Sequence, residues 1–224
     1  MREWCGIEIQ TNKYERGMTM FITQKIFKSL INEAYKGPGL TVGRKDEHIL
    51  LAGSYWSIEV TRQALPNKAL AAIIELTGEL PQDGENFKAS KEGLQYQIED
   101  AYWNFTNEAT VTAIGEHRKY IITDILLQHH PYGNAIRVLQ SQDEKREIKV
   151  ISNMFINAVD HTELNEECES YVEGPFTVKS MPHLAYWRSE ACMLSAGLLS
   201  KDTRKEGQIL LLELLEKFDF SKRY

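Results

Sequence analysis

Between Thr19 and Ile98 the apolar positions of this chain switch in a readable order between the two-residue period of strands and the three-to-four-residue period of helices. Met20-Phe21-Ile22 is a short apolar run suited to a strand. Thr23 after it caps a predicted helix whose buried face is Ile26, Phe27, Leu30, Ile31 and Ala34, and Gly37-Pro38 ends that helix. Leu40 to Arg44 and His48 to Ala52 flank the polar turn Lys45-Asp46-Glu47, and Tyr55 to Thr61 alternates as a strand with one wetter face. Pro66 then sets the approach to a second helix, capped by Asn67, with Leu70, Ile73, Ile74 and Thr77 as its predicted buried stripe. Gly78 is placed to close it in a left-handed conformation. Phe87 to Ser90 and Leu94 to Ile98 follow as a hairpin around Lys91-Glu92-Gly93.

Past Asp100 the pattern is coarser. Ala109 to Ile114 and Tyr120 to Leu127 suit strands or short helices, and the clear hairpin is Ile136 to Gln140 with Glu147 to Ile156, turned at Asp143-Glu144-Lys145-Arg146. Residues 160 to 173 hold Asp160, Glu163, Glu166, Glu167, Glu169 and Glu173 among few apolar neighbours, the composition of an exposed acidic loop or short helix. Thr203-Arg204-Lys205-Glu206 is a capping box opening a last helix with Leu211, Leu214, Leu215 and Phe218 as its stripe; Ile209, Leu210 and Leu212 widen it beyond one face. There is no low-complexity segment and no exact internal repeat. The expected fold class is α+β, a mostly antiparallel sheet with two N-terminal helices packed on it and a C-terminal helix. The expected organisation is an N-terminal extension over 1–17, an α+β unit over 18–100 and a second unit over 101–224 closed by the last helix.

At 224 residues with 42% apolar composition, the chain can bury a substantial core. Its 26 basic and 32 acidic residues give a net charge of −6, so a nucleic-acid partner requires a confined basic track rather than a basic surface. Cys5, Cys168 and Cys192 are odd in number and irregularly spaced, which suits reduced thiols in a cytoplasmic protein. The longest apolar run, from Ile209, is broken at Glu213, far short of the roughly 20 residues of a membrane helix. The N-terminus lacks the apolar core of a signal peptide.

One stretch resembles a known family. Ile58-Glu59-Val60 into Leu65-Pro66-Asn67-Lys68-Ala69-Leu70, then Leu80-Pro81 and a strand from Phe87, is similar to the strand, helix, leucine-proline and strand run of bacterial DNA sliding clamps. The resemblance covers residues 20–98 and rests on element order and spacing. It implies helices that present lysine and arginine to the DNA backbone without touching base edges. The matching helix positions here are Lys25, Lys28, Lys36 and Lys68. It also implies a homo-oligomer assembled head to tail, through a heterologous interface. Residues 101–224 do not visibly repeat the plan, and the C-terminal helix has no counterpart in the ring domains.

No stretch carries an established catalytic signature, and no cofactor is expected. The rival class is a metal-dependent enzyme drawing on His129 or His130 with Asp160, His161, Glu163, Cys168 or His183, residue types that suit zinc or iron(II). Adjacent His129 and His130 would point to opposite faces of a strand, so only one reaches a given site. Ser54 lacks the flanking glycines of a nucleophile elbow. The glycine-rich run Gly37 to Gly43 follows a helix and leads into a strand, the reverse of a phosphate-binding order. The neighbours Tyr55-Trp56 and Tyr186-Trp187, with Tyr102, Trp103 and Phe105, are expected to send one ring of each pair to the core. A third reading is an interaction module that docks through its C-terminal helix.

Overall fold

The computed structural model describes residues 20–96, 117–128, 135–160, 172–179, 181–199 and 206–222. Helices α1 (Gln24–Lys36) and α2 (Asn67–Thr77) alternate with strands β1 (Leu40–Lys45), β2 (His48–Ala52), β3 (Trp56–Thr61), β4 (Asn86–Ser90) and β5 (Gly93–Tyr96). Then come β6 (His117–Gln128), β7 (Ala135–Ser141), β8 (Ile148–Ser152), helix α3 (Asn153–Ala158), β9 (Glu173–Val178), β10 (Met181–Arg188), β11 (Cys192–Gly197) and helix α4 (Glu206–Leu215). The eleven strands form one sheet in the order β5-β4-β1-β2-β3-β11-β10-β9-β6-β7-β8. Its pairings are antiparallel.

Strand alternation decides where the core lies. Leu40, Val42, Ile49, Leu51, Ile58, Val60, Leu194, Trp187, Leu139 and Ile151 point to one face, where Phe27, Leu30 and Ile31 of α1, Ala69 and Ile73 of α2, and Phe155 of α3 close over them. Three helices therefore share one side of the sheet, in a single hydrophobic cluster that spans both ends of the chain. Among the described residues, the opposite face is covered by a helix at one end. There Leu212 of α4 is buried against Ile136, Val138, Ile148 and Val150 of β7 and β8.

The strand order contains a repeat. β1 pairs with β2, β2 with β3, and α2 leads into β4, which returns to pair with β1 and then with β5. β6 pairs with β7, β7 with β8, and α3 leads toward β9, which returns to pair with β6 and then with β10. The two runs are topological copies, and β11, the added strand of the second, joins them by pairing with β3. No self-similarity in sequence announces this, because a shared strand order needs only a shared hydrophobic alternation.

Several expectations are corrected here. The α+β chain with two N-terminal helices and one C-terminal helix is replaced by a single continuous eleven-stranded sheet with four helices among the described residues, one of them in mid-chain. The run to Ile156, expected as strand, turns helical at Asn153: Ser152 caps α3, its hydroxyl accepting from Met154 N at 3.4 Å. Strands β9, β10 and β11 were not foreseen. Met20 to Ile22 makes only a bridge from Ile22 to Val159. Thr23 stands at the N-cap of α1, but without a side-chain bond to that helix. Pro66 is the N-cap of α2, and Asn67 is already helical. The buried residues of α2 are Ala69, Ala72, Ile73 and Thr77, while Ile74 is 39% exposed. Two alanines on this stripe let α1 and α2 pack side by side, a closeness that larger side chains would prevent. On α4 the inserted residue is Leu212; Leu210, Leu211 and Leu214 are exposed, as is Phe218 beyond the end of the helix. The hairpin beyond Tyr96, the segment from Ala109 to Ile114, the acidic stretch from His161 and the capping box at Thr203 lie outside the described residues.

Candidate nucleic-acid interface

The four helix lysines singled out by sequence are all exposed. On α1, Phe27, Leu30, Ile31 and Ala34 are buried, which at 100° per residue turns Lys25 and Lys36 away from the sheet, with Lys28 on the flank. Lys68 occupies the first turn of α2. None of the four makes an ion pair among the described residues. The helices are unequal: α1 carries three lysines against Glu33, whereas α2 carries Lys68 against Glu75.

A second cationic feature lies on the same face of the sheet, at the β6·β9 pair. Tyr120 belongs to the helix-side core, so Arg118, two residues earlier on β6, shares its face, opposite Thr177 of β9. Lys149 stands opposite Leu139, another helix-side residue. Around them is an open cleft of about 720 Å³ whose walls include Arg118, Lys119, Lys145, Lys149 and Lys179, against Asp143 and Glu147. Five cations against two anions make this concavity positive in a chain whose net charge is −6.

Ion pairs shape the cleft from within. Arg118 Nε donates to Asp143 Oδ2 at 2.8 Å, its Nη1 donates to Glu147 Oε2, and Lys149 Nζ reaches Glu147 Oε1 at 2.6 Å. Burial works against ionisation of Glu147, yet Lys149 and Arg118 hold its carboxyl below the ordinary value. The Ser141 hydroxyl, with Arg118 and the turn amides of Lys145 and Arg146, lowers Asp143 against a smaller opposing effect of burial. The guanidinium is thus oriented by two carboxylates that stay charged. Lys119, Lys145 and Lys179 are exposed at the rim and make no ion pair among the described residues, which leaves their charge for a partner.

On the other face, His117 packs edge to face against Phe176 and Tyr186, whose own rings are tilted by 38°, with ring centroids 5.5 to 6.2 Å apart, and the Arg188 guanidinium lies 6.0 Å from the Phe176 centroid. Burial pushes the Tyr186 hydroxyl up to about 12, so it keeps its proton at neutral pH and shares a hydrogen bond with His117 Nδ1. Of the aromatic pairs, Trp56 is buried and Tyr55 is 49% exposed, as expected of strand neighbours. Tyr186 and Trp187 are both buried, Trp187 in the helix-side cluster and Tyr186 against Val178, Met181 and Met193 on the other face.

The metal candidates are not brought together among the described residues. His183 is exposed on β10, and Asp160, beyond α3, donates its amide to Phe21 O at 2.8 Å. No group of three or more potential ligands occurs among the described residues. His129, His130, His161, Glu163 and Cys168 lie outside them. Cys192 is buried, and burial raises its thiol, which keeps it protonated.

The chain is similar to a solved structure. The solved structure is a putative DNA polymerase III beta subunit from Eubacterium rectale, at 10% identity and a TM-score of 0.32, covering 83% of this chain. The chain spans 64% of the length of that structure. No family model matches, and no curated protein matches. Among the described residues, no helix is long and apolar enough to cross a membrane.

Sequence reasoning found the helix lysines and missed the cleft. Its walls come from three separated stretches: 117–120, 142–149 and 177–182. Only the pairing of β6 with both β7 and β9 brings them together. The local signal was faint, the two cations Arg118 and Lys119 just before Tyr120 and basic residues in two turns.

Proposed function

We propose that this chain is a non-catalytic, clamp-like element that holds the DNA backbone without reading bases, working in the cytoplasm as an oligomer of identical copies. The observation that carries this reading is the one-sidedness of the molecule. A duplicated sheet bears α1, α2 and α3 on one face, and that same face presents Lys25, Lys28, Lys36 and Lys68 together with the cleft around Arg118. Lysines on exposed helix faces act as point charges for phosphate, and charged and polar residues make up most of the cleft wall. The division into units over 18–100 and 101–224 belongs to the same reading, each unit being one copy of the strand order.

The test is binding to two duplexes of unrelated sequence, followed by fluorescence anisotropy over a salt series. Equal affinities are expected, with log K falling linearly as log salt rises. Reversing Lys25→Glu and Lys28→Glu should reduce that slope by about 2, at about 0.9 per phosphate contact, with an unchanged circular dichroism spectrum. Absence of binding at low salt, or a marked preference for one duplex, would overturn the proposal.

A further inference from the structure

The walls of the cleft at the β6·β9 pair divide into a floor whose charges cancel and a rim whose charges do not. On the floor, Arg118 and Lys149 meet Asp143 and Glu147, two cations against two carboxylates, at 2.8 Å from Arg118 to Asp143 and 2.6 Å from Lys149 to Glu147. At the rim, Lys119, Lys145 and Lys179 are exposed and form no ion pair among the described residues. The surplus positive charge therefore lies at the mouth, around a guanidinium already held in place. The sheet order explains the arrangement. β6 lies between β9 and β7, so the turn after β9 brings Lys179 to one side of Arg118 and the turn after β7 brings Lys145 to the other. Nε and Nη1 of Arg118 go to the two carboxylates, which fixes the fork while taking up only part of its five N–H donors.

Size and charge together select a ligand. A cleft of about 720 Å³ is the size of sites that hold single small molecules. A backbone phosphate is a diester with one charge and a sugar on each side, so it meets such a concavity only at the mouth. A monoester, at the end of a strand or on a nucleotide, projects freely and carries close to two charges at neutral pH, with three acceptor oxygens. A planar guanidinium matches two of those oxygens at once, and lysines serve as point charges beside it. We infer that this cleft is a site for a phosphate monoester, with Arg118 binding it through its remaining N–H donors and Lys145 and Lys179 balancing its two charges. Asp143 and Glu147 are positioning residues that hold the fork. The inference deepens the proposed function and rests on it only for the strand end as a source of the group; a free nucleotide offers the same chemistry.

The test titrates the full chain, at fixed ionic strength and by calorimetry, with adenosine 5′-monophosphate and with its methyl ester. A second pair is a hairpin duplex ending in a 5′-phosphate and the same hairpin ending in a 5′-hydroxyl. In at least one pair the monoester should bind about tenfold tighter than its counterpart, the scale of one hydrogen bond to a charged group. A preference confined to the nucleotide pair assigns the site to free nucleotides, and one confined to the hairpins assigns it to strand ends. Lys145→Ala with Lys179→Ala should abolish the preference at unchanged circular dichroism. Arg118→Lys, which keeps the charge and loses the planar fork, should reduce it by a similar factor. The two lysines are exposed, so an Arg118 variant that fails to fold leaves the question decidable. Equal affinities within both pairs, or a preference that survives the double lysine variant, would overturn the inference. The hydroxyl-ended hairpin reports backbone binding on its own: its retention without a monoester preference defeats only this inference, and its loss with the preference intact defeats only the proposed function.

Discussion

The two strand runs share an order and differ in what covers them. In the first, α1 packs across the central β1·β4 pair, and the apolar residues of that face are sealed by helix. In the second, the corresponding β6·β9 pair carries the charged cleft, and its far end is covered on the opposite face by α4. The same scaffold thus gives a packed helical surface at one end and a cationic concavity at the other. The difference lies in the residues on equivalent strands: Leu40 and Val42 on β1 are fully buried, whereas Arg118 on β6 is held at the surface by Asp143 and Glu147. Fold order sets where a side chain points, and residue type sets whether that place becomes core or site.

The largest test of this contrast is stability. Phe27→Ala in α1 and Phe155→Ala in α3 should each cost about 3 to 5 kcal/mol, because both rings are buried in one cluster. Calorimetry should show a single transition lowered in both variants. A separate, unshifted transition in Phe155→Ala would mean that the runs melt independently. Next in size is the division of charge between them. Lys119→Glu, Lys145→Glu and Lys179→Glu together should lower the salt slope of DNA binding by about 3, against about 2 for the Lys25 and Lys28 pair. Equal or smaller loss from the cleft would return the interface to the helices alone.

A smaller effect concerns pH. The folded-state pKa values of Asp143 and Glu147 lie below their ordinary values, so their stabilising contribution is present above the unfolded carboxylate range, near pH 4, and is lost as pH falls through the lowered values. Over that same fall the cleft becomes more positive. DNA binding measured below about pH 4 should tighten while stability declines, and Glu147→Gln should flatten both trends. The smallest expected change is at Gly78, which closes α2 with φ of +79° and open space around a would-be Cβ: Gly78→Ala should cost about 1 kcal/mol from backbone strain alone. Gly174→Ala should cost more, since a Cβ there would lie 2.7 Å from Tyr186 O, where β9 crosses close to β10.

What the chain declared by itself was local. The period of α1, the stop at Gly37, the three strands after it and the left-handed Gly78 all follow from neighbours within a few residues, where propensity and turn chemistry act. Even there, packing overrode pattern: α2 turned its alanines inward, because fitting beside α1 mattered more than burying Ile74. The helix at Asn153 had a readable signal in Ser152, but the apolar run around it suits strand and helix alike. The rest was decided by pairing between residues far apart. β6 meets β9 some sixty positions later, β3 meets β11 more than a hundred later, and the C-terminal segment returns to β8. A single sequence does not encode such partners in any local period, since every half-buried strand offers the same alternation to every other. The lysines of the helices could therefore be named in advance, whereas the cleft and the repeat came into being only when the strands paired.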